Sequence, residues 1–224
     1  MPYLPVATGP ARLTTMTHLQ HTPASAKKRP LAPDITRLDA RSARAWTESM
    51  AVTPLGSGRY AVEAGDRYVV TLPEHRCSCP DASIRGETCK HLRRVAIEIT
   101  RQEVPPPGKR EGQCAACGHD RFVPEDGPAL CDDCRFAPGD VVRDRETGDR
   151  VVVVRATDDP ADEWVVEGTG TTVAAYETNQ GYPSDDPVVQ VVYPFSGGWE
   201  SFADLKRYAF PHSRLEATDE QYVL

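Results

Sequence analysis

Residues 77–92 read Cys77-Ser78-Cys79-Pro80-Asp81-Ala82-Ser83-Ile84-Arg85-Gly86-Glu87-Thr88-Cys89-Lys90-His91-Leu92. Two thiols one residue apart are followed, after nine residues, by a thiol and an imidazole with the same separation. Four soft donors in two local pairs suit one tetrahedral ion, because each short loop presents both of its donors together. A second set lies downstream: Cys114-Ala115-Ala116-Cys117, thirteen residues, then Cys131-Asp132-Asp133-Cys134. The chain has seven cysteines, and the two sets use all of them. Thiolate-rich sets favour zinc over the hard cations calcium and magnesium. Two structural Zn²⁺ sites are therefore expected, on Cys77, Cys79, Cys89 and His91 and on Cys114, Cys117, Cys131 and Cys134.

Reduced surface thiols, an iron–sulfur cluster on the four-cysteine set and a redox thiol pair are the alternatives. A redox CxxC is expected to open a helix in a βαβ setting, whereas Cys114 follows Pro105-Pro106-Pro107. An odd thiol count without a secretory leader is poor material for a disulfide framework.

The flanks of the first set have regular patterns. Arg59 to Ala64 and Arg67 to Leu72 alternate as two strands, with Gly65-Asp66 as their turn. Residues 90–102 read as a helix, with Leu92, Val95, Ala96 and Ile99 on one apolar face. Lys90, Arg94 and Arg101 lie opposite that face, with Arg93 to one side. CxC, a gap, then CxH, with strands before and a helix after, resembles the SWIM-type zinc finger over roughly residues 55–102. By that resemblance Cys77, Cys79, Cys89 and His91 are the zinc ligands in a ββα unit. SWIM modules occur in transposases, chromatin-remodelling ATPases, recombination factors and ubiquitin-related proteins. The resemblance implies zinc, with DNA or protein as partner. The second set is similar to a zinc ribbon or knuckle, with Gly118 suited to the tight turn and Arg121 to Val123 as a short strand. Its surroundings, Glu125, Asp126, Asp132 and Asp133, are acidic.

Composition limits what else the chain is expected to be. Apolar residues are 39% and aromatics 7% of 224 residues, with 20 prolines, so small units held by metal are expected rather than one large core. No stretch approaches a membrane span, and no apolar leader opens the chain, so a cytoplasmic protein is expected. Residues 1–110 carry 17 Lys and Arg against 10 Asp and Glu, and the remainder 9 against 23, which gives the net −7. A basic front half suggests a polyanion or an acidic surface as its partner. Arg (21) outnumbers Lys (5), and acids abound, a balance that resembles salt-adapted archaeal proteins. High salt screens phosphate contacts.

The remaining segments are read more coarsely. Residues 1–33, with Lys27-Lys28-Arg29, read as a disordered tail. Residues 34–52 suggest a helix capped by Asp34, with Leu38, Ala45, Trp46 and Ser49 facing the finger. Residues 103–112 read as a proline-rich linker, and 113–136 as the ribbon-like unit. From 138 to 224 short strands at 140–142, 150–155, 163–166, 171–176 and 188–193 suggest an acidic, small, partly open β-barrel, SH3-like, with a helix near 199–207 and a polar tail. The expected fold class is α+β, a small multi-domain zinc protein.

Catalytic signatures are weak. Gly56-Ser57-Gly58-Arg59-Tyr60-Ala61 matches GxGxxA but precedes a strand, where the dinucleotide fingerprint needs a helix. No Walker loop, HExxH or GxSxG is present. His18 and His21 fall in the tail. His75 reads as an exposed loop residue, and His119 is redundant beside four cysteines. The expected function is that of a non-enzymatic zinc module acting as a protein-interaction adaptor, docking through its acidic half and exposed apolar residues such as Ile97, with no membrane or small-molecule substrate. The alternative is a nucleic-acid-binding accessory factor that offers Lys90, Arg93, Arg94 and Arg101 to phosphates.

Overall fold

The computed structural model of the chain describes residues 32–196 and 202–222. The Lys27 to Arg29 triplet, His18 and His21 lie outside them, as does almost all of the 1–33 tail. The architecture is mixed α and β, with three antiparallel sheets and two cysteine-rich clusters.

Asp34 caps a 3-10 turn, Ile35–Arg37, rather than the expected long helix. The helix itself, α1 (Ala40–Thr47), starts at Asp39, whose carboxylate accepts from the Arg41 and Ser42 N–H groups. Those bonds satisfy two of the helix's free donors, and the Ser42 hydroxyl and N–H are the main reason that the Asp39 carboxyl is lowered to about 2. Ala45 is fully buried and Trp46 partly so, whereas Ser49 is exposed and outside the packed face. Beyond Met50 the chain is a strand, not helix: β1 (Ala51–Gly56) pairs with β2 (Arg59–Ala64). Between them Gly56, Ser57 and Gly58 all have positive φ, so the GxGxxA match is a hairpin turn.

β2 pairs with β3 (Asp66–Thr71) and β3 with β4 (Arg76–Cys77), giving the order β1-β2-β3-β4. The β2–β3 turn tightens to Gly65, since Ala64 pairs with Asp66. After the short α2 (Pro80–Ser83) comes α3 (Lys90–Thr100), which lies across this sheet. Its buried side is His91, Leu92, Val95 and Glu98, packed with Tyr60, Val62 and Val70. Ala96, expected on the apolar face, is exposed, and Glu98 is buried because Arg94 pairs with it at 2.7 Å.

The proline-rich stretch does not behave as a free linker. Val104 is buried in the finger core, and the Tyr60 hydroxyl donates to the Pro105 carbonyl at 2.8 Å. Its end enters β5 (Lys109–Gln113), which pairs with β6 (Asp120–Pro124) to form a two-stranded hairpin.

The C-terminal sheet has the order β10-β9-β8-β7-β11. Its strands are β7 (Asp140–Asp144), β8 (Arg150–Pro160), β9 (Pro187–Val192), β10 (Tyr208–Pro211) and β11 (Leu215–Gln221). Val151 and Val153 pack on one face, with Val189, Val191 and Phe210, while Val152 packs on the other, with Val141 and Val192. Burial on both faces explains why β8 reads as an unbroken valine run instead of alternating. Two corrections follow. Residues 163–166 and 171–176 are not strands but a connection with one bridge, Val165 to Thr172. The expected C-terminal helix is, among the described residues, a 3-10 turn at Phe202–Asp204, and the supposed tail is β11 paired with β7.

Candidate metal centres

β4 and the α2 N-terminus place Cys77 and Cys79, while the start of α3 places Cys89 and His91. All four residues are buried, and their donor atoms lie within 4.8 Å of one another. A tetrahedral ion with bonds of about 2.0–2.3 Å needs donors roughly 3.5–4 Å apart. Cys77 Sγ and His91 Nδ1 stand 3.8 Å apart. The imidazole lies against the Tyr68 ring, and its Nε2 has no hydrogen-bond partner among the described residues. A metal-bound imidazole ordinarily donates its second N–H to an acceptor; among the described residues this ring is held instead by the Tyr68 face and the Cys77 thiol.

One thiol of this set, Cys89, is readied to give up its proton, while Cys77 and Cys79 are raised. A hydrogen bond from Cys77 is the main cause that lowers Cys89 to about 3, with His91 and the Leu92 N–H adding to it. Cys77 is raised in return, chiefly through that same bond and then by burial. Crowded thiols share their protons in this way until a cation displaces them, so the donor set fits a thiophilic divalent ion.

The second cluster is built by the end of β5 and the turns at 114–118 and 131–135. Cys114, Cys117, Cys131 and Cys134 also converge within 4.8 Å. Gly118 takes φ 69, as the turn requires. Burial would raise Cys114, but the Cys131, Cys117 and Ala116 N–H groups outweigh it and bring the thiol to about 6. Cys131 N–H donates to Cys114 Sγ at 3.3 Å. Cys114 and Cys131 are buried, whereas residue Cys117 is exposed. This donor set fits the same kind of ion with one flank open to solvent. His75 and His119 are both exposed, and neither joins a cluster.

The cations offered to phosphate in the sequence reading are arranged differently from a free basic face. α1 packs on α3 over that sector. Lys90 pairs with Glu48, Arg93 comes within 4.0 Å of Asp39, and Arg94 pairs with Glu98 while donating to the Ala45 carbonyl at 3.3 Å. Of the four, Arg101 alone makes no ion pair with a described residue. Glu48 and Asp39 were missed in the sequence because they lie in another element; Arg94 with Glu98 is an i, i+4 pair that spacing does reveal. Ile97 is half-buried, and the apolar side chain most open to solvent beside the finger is Ile84, 82% exposed.

No curated protein and no solved structure gives a significant match to the chain. Among known families, residues 68–99 match the SWIM zinc finger, a span that contains Cys77, Cys79, Cys89 and His91 and runs from β3 through α3.

Proposed function

We propose that the chain is a non-enzymatic, zinc-binding adaptor for protein partners, with Zn²⁺ at both cysteine-rich centres. The observation that carries the reading is the ion pairing on α3. Three of the four cations that would grip phosphates already face carboxylates of the same chain. A phosphate would have to displace those acids, and each such contact contributes modestly at physiological salt. Each centre offers four protein donors, which leaves a tetrahedral ion no open position for a reactive water. The ion would supply cross-linking of loops that have small cores, and the cysteines and His91 hold those loops in place.

In this reading residues 34–102 form a helix-plus-ββα finger, 113–136 a ribbon-like knuckle and 138–224 a small SH3-like barrel in a cytoplasmic protein. The strand order β10-β9-β8-β7-β11, the bulged β8 and the 3-10 turn His212–Arg214 before β11 support the barrel assignment. No helix among the described residues is long and apolar enough to cross a membrane.

Fluorescence anisotropy of zinc-loaded protein with single- and double-stranded DNA, across a salt series, tests the reading. The expected result is no salt-dependent binding near physiological ionic strength. Binding with a log–log slope of about −3 to −4, lost in Cys89→Ser, would replace the adaptor with the nucleic-acid factor.

A further inference from the structure

A cleft of about 910 Å³ opens beside β10, between that strand and the connection from β8 to β9. Of the eight exposed large hydrophobics among the described residues, Val165, Tyr176 and Tyr208 meet here, beside the partly buried Trp164. β10 is the edge of its sheet, and on its outer side no described residue bonds to its backbone. Alternate N–H and C=O groups of such an edge are free to pair with an added strand. Pro211 has no N–H, so the usable edge is Tyr208 to Phe210.

Charge identifies the occupant. Lys206 and Arg207 are exposed at the cleft and make no ion pair with a described residue; Lys206 Nζ sits 5.0 Å from the Tyr208 ring centre. Among the described residues Glu167 is the one acid lining the cleft. In a half of the chain with 9 basic and 23 acidic residues, two adjacent exposed cations that pair with no carboxylate among the described residues suit counter-charge from outside. A second copy would bring the same cations back to the same patch, because a two-fold contact is self-complementary. We propose that an extended acidic peptide segment of a partner protein adds as a strand to β10, with an apolar side chain in the Trp164–Tyr176–Tyr208 cleft and a carboxylate on Lys206 and Arg207. This inference rests on the adaptor reading and gives it a surface.

The test is a ¹⁵N NMR titration of the zinc-loaded full chain with the peptide acetyl-Ser-Asp-Val-Glu-Val-Asp-Ser-amide and with its counterpart carrying lysine at each acidic position. Saturable shifts at the Tyr208, Ala209, Phe210 and Val165 to Glu167 amides are expected from the acidic peptide alone. The double variant Lys206→Glu, Arg207→Glu changes two exposed side chains; it should bind roughly tenfold more weakly and prefer the lysine peptide. Equal shifts from both peptides on the wild-type chain, or none at these amides, overturn the proposal. So do concentration-dependent shifts of the same amides without peptide, which would assign the cleft to a second copy. Failure here does not move the DNA titration, which reads the finger surface, so the loss of this surface and the loss of the adaptor reading are separable.

Discussion

Asp144 and Arg214 are 70 residues apart in the chain and fully or nearly buried, held by bonds of 2.7 and 2.8 Å. Arg214 also reaches the Asn179 side chain at 2.8 Å and stacks on Phe210. Burial alone would raise the Asp144 carboxyl, but the Arg214 hydrogen bonds, the Glu146 N–H, the Arg214 charge and the Tyr193 hydroxyl together outweigh it and hold the group below the usual carboxylate range. A carboxyl lowered on folding contributes stability that is present above its unfolded pKa and lost as pH falls through the folded one. Acid unfolding of the C-terminal sheet should therefore set in below about pH 4, as read by circular dichroism. Asp144→Asn leaves a buried guanidinium without its charge partner and should cost about 3–5 kcal/mol in denaturant unfolding. The opposite limb belongs to tyrosines. Burial and then their carboxylate neighbours push Tyr182 and Tyr193 up to about 12. A raised tyrosine stabilises below its unfolded pKa, so this contribution should disappear between about pH 10 and 12, followed by tyrosinate absorbance alongside unfolding. At the metal centres the residue to remove is Cys89, the most acidic thiol of its set. Cys89→Ser should lower zinc from two ions to one per chain in native mass spectrometry, with seven thiols titrating in the chelated wild type; one ion in the wild type would sink the ligand assignment.

Elements are placed by turns and caps that tolerate little change. At Gly58 φ is +67, and an added Cβ would stand 2.8 Å from the Pro73 ring and 3.2 Å from Pro107. Gly58→Ala therefore strains the β1–β2 hairpin and pushes the prolines off the finger; a loss of about 1–3 kcal/mol is expected, measured by thermal unfolding. α1 depends on Asp39 for its first N–H groups, and Asp39→Ala should lower the thermal unfolding midpoint. The same change leaves Arg93 without its acid. If internal pairing is what keeps α3 from phosphates, this variant should bind DNA slightly more tightly at low salt than the wild type.

Across the whole molecule the units are joined by specific bonds. The Ser57 N–H donates to the Glu125 carboxylate at 2.9 Å, tying the finger to the knuckle. His212 Nε2–H donates to the Cys134 carbonyl at 2.7 Å while its ring stacks on Phe136, and Arg135 pairs with Asp158. Burial lowers the His212 pKa and keeps the ring neutral, the form that donates from Nε2 alone. The four-cysteine hairpin thus sits between the first sheet and the C-terminal sheet, and Cys134 carries the second contact. Chelation of zinc should raise amide exchange in residues 57–135 well before that of β7, β8 and β9, whose valine core needs no metal. His212→Ala should leave both ions bound in native mass spectrometry yet cost about 1 kcal/mol in denaturant unfolding, because a partly buried carbonyl loses its donor.

The sequence by itself determined the two donor sets, the hairpin before the first and the helix after it, since spacing of thiols and a 3.6-residue period are local properties of the chain. It also marked the strands that the valines at 141–142, 151–154 and 188–192 build. Tertiary structure alone decided the rest. The cationic sector of α3 looked free on a helical wheel, and α1 closes it with carboxylates from 42 to 54 residues away. β10 and β11 lack a strand pattern; Leu215 to Gln221 has the polar composition of a tail and becomes a strand by pairing with β7. Residues 109–112 follow prolines and read as linker until β6 supplies their partners. Hydrogen bonds between distant segments leave no mark in either segment, and for that reason the metal ligands were legible while the surfaces around them were not.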